Sequence, residues 1–252
     1  MTVRRKNRLT FLVLAVITLF SLEACKKTIG IPSDIGYSYF PIHIGDSLTY
    51  LEDSIIYDDF YSTIDTFPHE ILDVTTSTFT DNSGRLSYLI NRFIWDSTAQ
   101  EWLPDISYYI TPTTTSIEDE ENNLRFIKLV FPVALNTSWQ GNIYIDPDPA
   151  DNLGYLQGWK YSYTAVNARD TVGNLYFDST LTVVQQSDQL VQTPDYSSRL
   201  YSVEQYARNI GLIYKHFVYW QQQCVSYDQS GKCLLLGGKG GYEVIMQLTG
   251  HN

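Results

Sequence analysis

Residues 241–249 read GYEVIMQLT, and this stretch indicates the fold more clearly than any other part of the chain. Every second residue from Tyr242 to Leu248 is apolar, and the residues between them are largely polar, with Ile245 as the exception. Successive side chains of a β-strand point to opposite faces of a sheet. The period of two therefore predicts a strand with one buried face.

Four further runs predict strands, and a fifth is ambiguous. Residues 85–96 and 124–133 are apolar on both faces, as expected of central strands covered on two sides. Residues 160–166 and 212–220 are rich in aromatic and β-branched side chains, which favour strands. Residues 198–208 place apolar side chains at helical spacing but also fit a strand that ends in a turn, and we favour the strand.

Clusters of Asp, Asn, Ser and Gly separate these runs, and helical signal is scarce. The sequence therefore predicts a mainly β fold, in which residues 38–252 form a single antiparallel β domain of about ten strands. Little helix is expected beyond a signal peptide. We expect a barrel-like sheet, a strongly bent sheet or a sandwich, because closure hides edge strands that would otherwise pair with other chains.

The N-terminus has the features of a bacterial lipoprotein signal. A basic segment precedes an uncharged run over residues 11–22, which is shorter than the about 20 apolar residues that a membrane-spanning helix needs. The sequence LEAC at residues 22–25 matches a lipobox apart from Glu23. We therefore predict cleavage of residues 1–24 and lipidation of Cys25, which anchors the chain to a membrane. The alternative is an ordinary cleaved signal that leaves a free thiol.

The predicted mature chain begins with a flexible tether, residues 25–37, and is strongly acidic. Cleavage removes four basic residues and one acidic residue, which changes the formal net charge from −11 to −14. Nucleic acid is not an expected partner, because phosphate binding needs clustered Lys and Arg. The sequence contains no zinc-type His cluster and no nucleotide-binding fingerprint, so we predict no cofactor.

Two cysteines remain, Cys224 and Cys233, and the segment between them carries a turn signal. In an oxidising compartment we predict a disulfide across a hairpin, which contributes about 2.7 kcal/mol in the chain-entropy model. Free thiols and a metal or redox site are the alternatives.

Two acidic segments invite a functional interpretation. Asp146, Asp148 and Asp151 form a candidate calcium site in a Pro-rich segment, although we favour a solvated acidic turn. Residues 118–121, EDEE, are expected to form a solvated loop, since like charges repel one another.

The tetrapeptide GDSL at residues 45–48 also names a family of serine esterases. A Ser nucleophile needs a positioned general base, which that family supplies from an Asp-x-x-His near its C-terminus. None of the four His residues, including His251, has Asp three positions before it. A predicted strand, not a helix, follows Ser47. We therefore interpret residues 45–47 as a turn and predict that the chain is not an enzyme.

A resemblance to known proteins is carried by five stretches, residues 39–50, 81–85, 123–133, 206–215 and 241–252. Together they resemble a group of uncharacterised exported lipoproteins of Bacteroidetes-type bacteria, over nearly the whole mature chain. The resemblance implies that Gly45-Asp46-Ser47 replaces a Gly-Asn turn before an aromatic strand, and it implies no activity. In such bacteria, acidic residues soon after the lipidated Cys mark surface export. Lys26-Lys27-Thr28 follows Cys25 here, which favours the periplasmic side of the outer membrane.

We expect a lipid-anchored cell-envelope protein that binds or supports an envelope protein or a glycan without catalysis. The alternatives are a lipocalin-like carrier of a small apolar ligand and an envelope hydrolase. A carrier should contain a cavity above about 300 Å³, and a binding module should expose an aromatic patch. An enzyme should have a cleft with perturbed carboxylates or a paired His. Five tryptophans could stack on sugars or fill the core: Trp95, Trp102, Trp139, Trp159 and Trp220.

Overall fold

The computed structural model describes residues 34–146 and 153–252, and this part of the chain contains thirteen β-strands. The strands are β1 Ser47–Asp58, β2 Thr63–Thr80, β3 Leu86–Asp96, β4 Glu101–Pro112, β5 Ser116–Glu121, β6 Leu124–Val130, β7 Ser138–Trp139, β8 Tyr161–Val172, β9 Leu175–Gln192, β10 Tyr196–Ala207, β11 Gly211–Tyr227, β12 Cys233–Leu236 and β13 Gly240–His251. Short 3-10 helices lie at Tyr37–Tyr39 and Gly154–Leu156. Within the described residues, no helix has the length and apolar character needed to span a bilayer.

The described strands form one antiparallel sheet in the order β6-β5-β4-β3-β2-β1-β13-β11-β10-β9-β8-β7, and β12 pairs with β11. Strands β1 to β6 form one meander, and strands β7 to β11 form a second. The last strand, β13, lies between β1 and β11 and joins the two meanders through hydrogen bonds on both of its sides. The predicted antiparallel, mainly β fold is confirmed.

The two ends of this strand order meet, so the sheet is barrel-like and nearly closed. The backbone N–H of Ile127 in β6 donates to Gly141 O at 2.8 Å, and the Trp139 indole donates to Ile127 O at 2.8 Å. The Tyr163 hydroxyl in β8 donates to Val130 O at 2.7 Å and accepts from Val130 N at 2.8 Å. The interpretation of residues 124–133 as a central strand is wrong in position, because β6 ends the strand order. Its apolar side chains pack in the larger of two hydrophobic clusters, in which Leu129 is buried.

Residues 241–249 lie in β13, and their predicted inner face is confirmed from Val244 to Leu248, whereas Tyr242 is 37% exposed. Met246 and Leu248 are buried in one hydrophobic cluster, with Tyr50 and Ile213. Val244 packs against a second and larger cluster. The ambiguous residues 198–208 fall in β10, so the strand interpretation is confirmed there as well.

Residues 118–121 are not the solvated loop that the sequence predicts. They belong to β5, where Glu118 and Asp119 are buried. Asn122 and Asn123 have φ values of 53° and 62°. Two consecutive left-handed residues make a tight hairpin turn that folds β5 onto β6. Strand β6 brings basic side chains against the acids, and this pairing is the physical reason why a run of like charges can be buried.

Candidate ligand cavity

An internal cavity of about 310 Å³ lies within the curved sheet, and residues of both hydrophobic clusters line it. Residues 40–43, 46–48 and 209–212 contribute to the lining, together with the C-terminal His251 and Asn252. The volume is at the lower end of the range for small-molecule sites, about 300–1,000 Å³. The cavity therefore meets the size expected of a carrier for a small ligand.

The lining is charged, which distinguishes this cavity from an ordinary packing defect. The charged side chains are Asp46, Asp73, Arg92, Asp119, Glu121, Lys128, Glu204 and Lys215. An ion moved from water into a protein interior costs several kcal/mol unless a partner compensates it. Each of these groups therefore needs a partner, and the partners show which groups are available to a ligand.

Asp73 in β2 and Arg92 in β3 form one fully matched pair. The Arg92 Nε donates to Asp73 Oδ1 at 2.7 Å, and Arg92 Nη2 donates to Asp73 Oδ2 at 2.7 Å. The Tyr108 hydroxyl also donates to Asp73 Oδ2, at 2.9 Å. Burial acts to lower the pKa of Arg92, but the Asp73 carboxylate raises it above its usual value, so Arg92 stays charged. This pair leaves little hydrogen-bonding capacity for a ligand.

Lys128 in β6 and Glu204 in β10 form a second matched pair across the interior. Lys128 Nζ donates to Glu204 Oε1 at 2.7 Å, and the Tyr206 hydroxyl donates to Glu204 Oε2 at 2.5 Å. Burial alone would raise the pKa of Glu204, but Lys128, Lys215 and the hydrogen bonds from Lys128 and Tyr206 hold it below its usual value. Glu204 is 1% exposed and ionised, so its negative charge is fixed deep in the sheet.

Asp119 in β5 is only partly matched. Its Oδ2 lies 3.8 Å from Lys128 Nζ, which is too long for a hydrogen bond. Its Oδ1 is buried and has no hydrogen-bond partner among the described residues. Burial raises the pKa of Asp119 to about 7; Lys128 opposes this shift, and Glu121 and Glu204 add to it. Asp119 therefore lines the cavity and has one buried acceptor oxygen that the described residues leave unsatisfied.

Two further lining groups have no short-range partner in the described part of the chain. Glu121 in β5 and Lys215 in β11 line the cavity. Neither side chain makes a hydrogen bond, or an ion pair within 4 Å, to another described residue. Lys215 acts at longer range, since its charge lowers the pKa of Glu204 and opposes the rise at Asp119. Asp119, Glu121 and Lys215 are the groups that a ligand can engage.

The GDSL segment forms the predicted turn at the rim of this cavity. Gly45 has a φ of +96°, a conformation that favours glycine, and Asp46 N donates to His43 O at 3.1 Å. Ser47 is the first residue of β1. Within the described residues, no hydrogen bond joins the Ser47 hydroxyl to a His ring. The absence of enzymatic activity stays a prediction.

Three of the remaining sequence-predicted residues, Cys224, Cys233 and Asp146, are described and do not line the cavity. Cys224 and Cys233 form the predicted disulfide, with their Cα atoms 5.9 Å apart, between β11 and β12. Asp146 is exposed, whereas Asp148 and Asp151 lie outside the described residues, as does Cys25. The calcium site and the lipid anchor therefore stay predictions.

The tryptophans mostly fill the core. Trp159 and Trp220 are buried, and Trp139 packs against the larger cluster. Trp95 and Trp102 form an edge-to-face pair with ring centroids 5.4 Å apart. The core-filling interpretation therefore holds for three of the five.

An exposed apolar surface lies at one end of the sheet. Phe60 and Tyr61 in the β1–β2 turn are 83% and 74% exposed. The register of β1 with β13 and of β13 with β11 brings this turn to the same end as β12, where Leu234 and Leu235 are also exposed. Exposed aromatic side chains are the feature expected of a binding module.

Sequence reasoning missed Asp119, Lys128 and Glu204, although two of them carry a signal. Lys128 interrupts the apolar run LRFIKLVFPV, and Glu204 lies within the strand SVEQYA. A single charge inside an otherwise apolar or aromatic strand indicates a buried partner or a ligand. The partner itself cannot be read from the sequence, because the two residues are 76 positions apart.

The chain matches no protein-family model and no curated protein. A solved structure that it is similar to is that of a "putative exported protein with YmcC-like fold" from Bacteroides fragilis. The identity is 12% and the TM-score is 0.37, over 84% of this chain and 98% of that one. This TM-score is too low to show a shared fold, so we base the functional proposal on the residues of this chain alone.

Proposed function

We propose that the chain is a non-catalytic, lipid-anchored cell-envelope protein whose barrel-like sheet binds a small polar molecule. The observation that carries this proposal is the charged lining of the cavity of about 310 Å³. Asp119 lines that cavity, and its Oδ1 is buried without a hydrogen-bond partner among the described residues. An unpaired buried polar group costs about 1–3 kcal/mol, and a bound ligand that donates a hydrogen bond removes this cost.

The lining favours a polar ligand over the apolar ligand of the lipocalin-like alternative. Sites for apolar molecules are lined predominantly by hydrophobic and aromatic side chains. Here eight charged side chains line a small volume. An apolar molecule would bury Asp119 and Glu121 without satisfying either of them.

Mass spectrometry of the intact protein, extracted under native conditions from its own host's membrane, tests this proposal. We expect a small noncovalent mass that is released on denaturation. The Ile42→Trp variant places a large side chain in the lining and should lose this mass. A wild-type protein that carries no ligand, and that no polar metabolite of a screen stabilises against heating, would contradict the proposal.

The anchor is tested separately. The Cys25→Ser variant should lose lipid labelling and membrane retention, because no other residue can receive the acyl chains of a lipobox. The matched control is Cys224→Ser with Cys233→Ser, which removes the disulfide and leaves Cys25 in place. Unchanged membrane retention of Cys25→Ser would contradict the lipoprotein assignment.

Hydrolysis of an envelope substrate is a second candidate function, which one observation favours. Burial raises the pKa of Asp119 to about 7, and a group of that pKa inside a cavity suits general acid–base catalysis at neutral pH. The molecule that mass spectrometry identifies can be used to distinguish ligand binding from hydrolysis. Its conversion to product by the wild-type protein, and not by Asp119→Asn, would establish catalysis.

A further inference from the structure

We infer that the ligand is a small organic cation, whose ammonium group is bound by the carboxylates of Asp119 and Glu121 among tyrosine rings. This inference rests on the proposed function and names the chemical class of the ligand. The cavity, the unsatisfied oxygen, the balance of charge and the aromatic lining each contribute to it.

Asp119 and Glu121 present two carboxylates to the same space. They are two residues apart in β5, so their side chains lie on one face of the strand. Both line the cavity, and Asp119 Oδ1 is buried without a partner among the described residues. A carboxylate only accepts hydrogen bonds, so the missing partner is a donor. An ammonium group supplies up to three donors and the opposite charge.

The balance of charge in the lining also favours a cation. Asp73 with Arg92 and Glu204 with Lys128 are matched pairs, and Asp46 at the rim accepts a hydrogen bond from His43 N at 2.6 Å. This leaves Asp119 and Glu121 against Lys215. The unmatched lining is therefore net negative when these groups are ionised. Interactions between charges are stronger in a protein interior than in water, so this excess attracts a cation and repels an anion.

The aromatic lining selects an organic cation. Tyr50, Tyr108 and Tyr206 line the cavity, and their hydroxyls already donate to Leu212 O, Asp73 and Glu204. The Arg92 guanidinium already lies over the Tyr108 ring, 5.4 Å from its centroid. The rings of Tyr50 and Tyr206 therefore remain for an ammonium group, which ring faces attract. Residues 34–146 and 153–252 contain no group of three or more metal-binding side chains. A hard cation such as calcium needs 6 to 8 oxygen ligands, so two carboxylates suit an ammonium group better.

A matched series of four-carbon compounds tests the inference by isothermal titration calorimetry on the mature protein. The probes are 1,4-diaminobutane, 4-aminobutyrate, succinate and butane-1,4-diol, which share a chain and differ in charge. We expect 1,4-diaminobutane to bind at least tenfold more tightly than 4-aminobutyrate, and we expect no binding of succinate or the diol.

Three variants locate the cation. Asp119→Asn and Glu121→Gln should each weaken binding of 1,4-diaminobutane at least tenfold. Lys215→Met should strengthen it, because the variant removes the competing positive charge. Glu118→Gln is the matched control on the opposite face of β5 and should leave the affinity unchanged.

The affinity should also fall by about tenfold or more between pH 8 and pH 5.5, because a cation binds the ionised form of Asp119 and its pKa is about 7. The other charged or titratable groups that line the cavity with Asp119 are His43, Asp46, Tyr50, Asp73, Arg92, Tyr108, Glu121, Lys128, Glu204, Tyr206, Lys215 and His251. The Asp119→Asn variant separates the contribution of Asp119 from that of the other lining groups, because this variant should lose most of the pH dependence.

Other outcomes of these binding experiments would overturn the inference, and each would point to a different kind of site or to none. Tighter binding of succinate, or weaker binding of any probe by Lys215→Met, would show an anion site. Tighter binding of 4-aminobutyrate would show a zwitterion site. If mass spectrometry finds a ligand and none of the four probes binds, the cation assignment fails while the binding function stands. If neither experiment finds a ligand, both fail.

Discussion

Glu118 and Asp119 are adjacent in β5 and equally buried, yet the two carboxylates have different surroundings. Glu118 lies on the face away from the cavity and accepts hydrogen bonds from Arg85, at 2.8 Å, and from Arg125. The Arg125 guanidinium in turn stacks over the Tyr144 ring, 4.3 Å from its centroid. Asp119 lines the cavity, and its buried Oδ1 has no hydrogen-bond partner among the described residues.

The difference shows how a carboxylate is fully paired on one face of β5 and only partly matched on the other. Two guanidinium groups satisfy Glu118, so its charge is used within the protein. The Lys128 ammonium group lies 3.8 Å from Asp119 Oδ2 and forms its shorter contact, at 2.7 Å, with Glu204 Oε1. The interior therefore contains one cation fewer than its carboxylates require. We expect variants on the two faces to differ in stability, pH dependence and ligand binding.

Lys128→Met should have the largest effect on stability, because it removes the cation that Glu204 and Asp119 share. Glu204 would be left buried and ionised without its 2.7 Å partner. Breaking a buried pair by removing one partner costs about 3–5 kcal/mol. Urea denaturation at pH 7 measures this loss. Lys215→Met is the control in the same cavity, with an expected change below about 1 kcal/mol, and equal losses in both variants would contradict the pairing.

Asp119→Asn should stabilise the protein at high pH, by about 2 kcal/mol at pH 8. The pKa of Asp119 is about 7 in the folded chain and about 3.9 in an unfolded chain, so the folded state binds more protons between these values. Wild-type stability therefore falls as the pH rises from about 4 to about 7, and the penalty is complete above pH 7.

Denaturation series at pH 5 and pH 8 measure this dependence. The gain from Asp119→Asn should be smaller at pH 5, where wild-type Asp119 is already protonated when folded. A gain that is equal at both pH values would show that the ionisation of Asp119 is not its cause.

Glu118→Gln should destabilise the protein by about 1 kcal/mol, because Gln keeps one acceptor for Arg85 or Arg125 and loses the charge. Thermal denaturation with and without 1,4-diaminobutane measures the loss and any change in ligand stabilisation. We expect a loss of stability and no change in the stabilisation by 1,4-diaminobutane. A reduced ligand effect would show that the two faces of β5 are coupled.

Arg199→Ala should have the smallest effect, about 0.5 kcal/mol, because its pair with Asp188 is exposed to solvent. Urea denaturation in low and high salt measures this effect, which screening should reduce further. A loss above about 1.5 kcal/mol would show that an exposed pair is as important as the pairs inside the cavity.

The sequence predicts the strands well where one face is apolar, as in β13, and where an aromatic run is long, as in β11. It predicts the Gly45 turn and the disulfide from local signals. The mistake at residues 118–121 has a physical cause. The acids are buried because β6 supplies Arg125 and Lys128 and the β2–β3 turn supplies Arg85, and no local pattern shows this pairing.

The cavity could not be predicted for a related reason. Its carboxylates and bases come from separate strands, with Asp73 in β2, Lys128 in β6 and Glu204 in β10. They meet only because the sheet curves until β6 reaches β7 and β8. Register and curvature depend on contacts between distant segments, whereas periodicity describes one strand at a time.

The position of β13 has a consequence for the time course of folding. Residues 47–130 and residues 138–227 each form hairpins with their own neighbours in the chain, and such local contacts form early. Strand β13, Gly240–His251, is the last to be synthesised, yet it pairs with β1, about 200 positions earlier. A nascent chain can therefore assemble two separate meanders, and they become one sheet only after translation has reached residue 251.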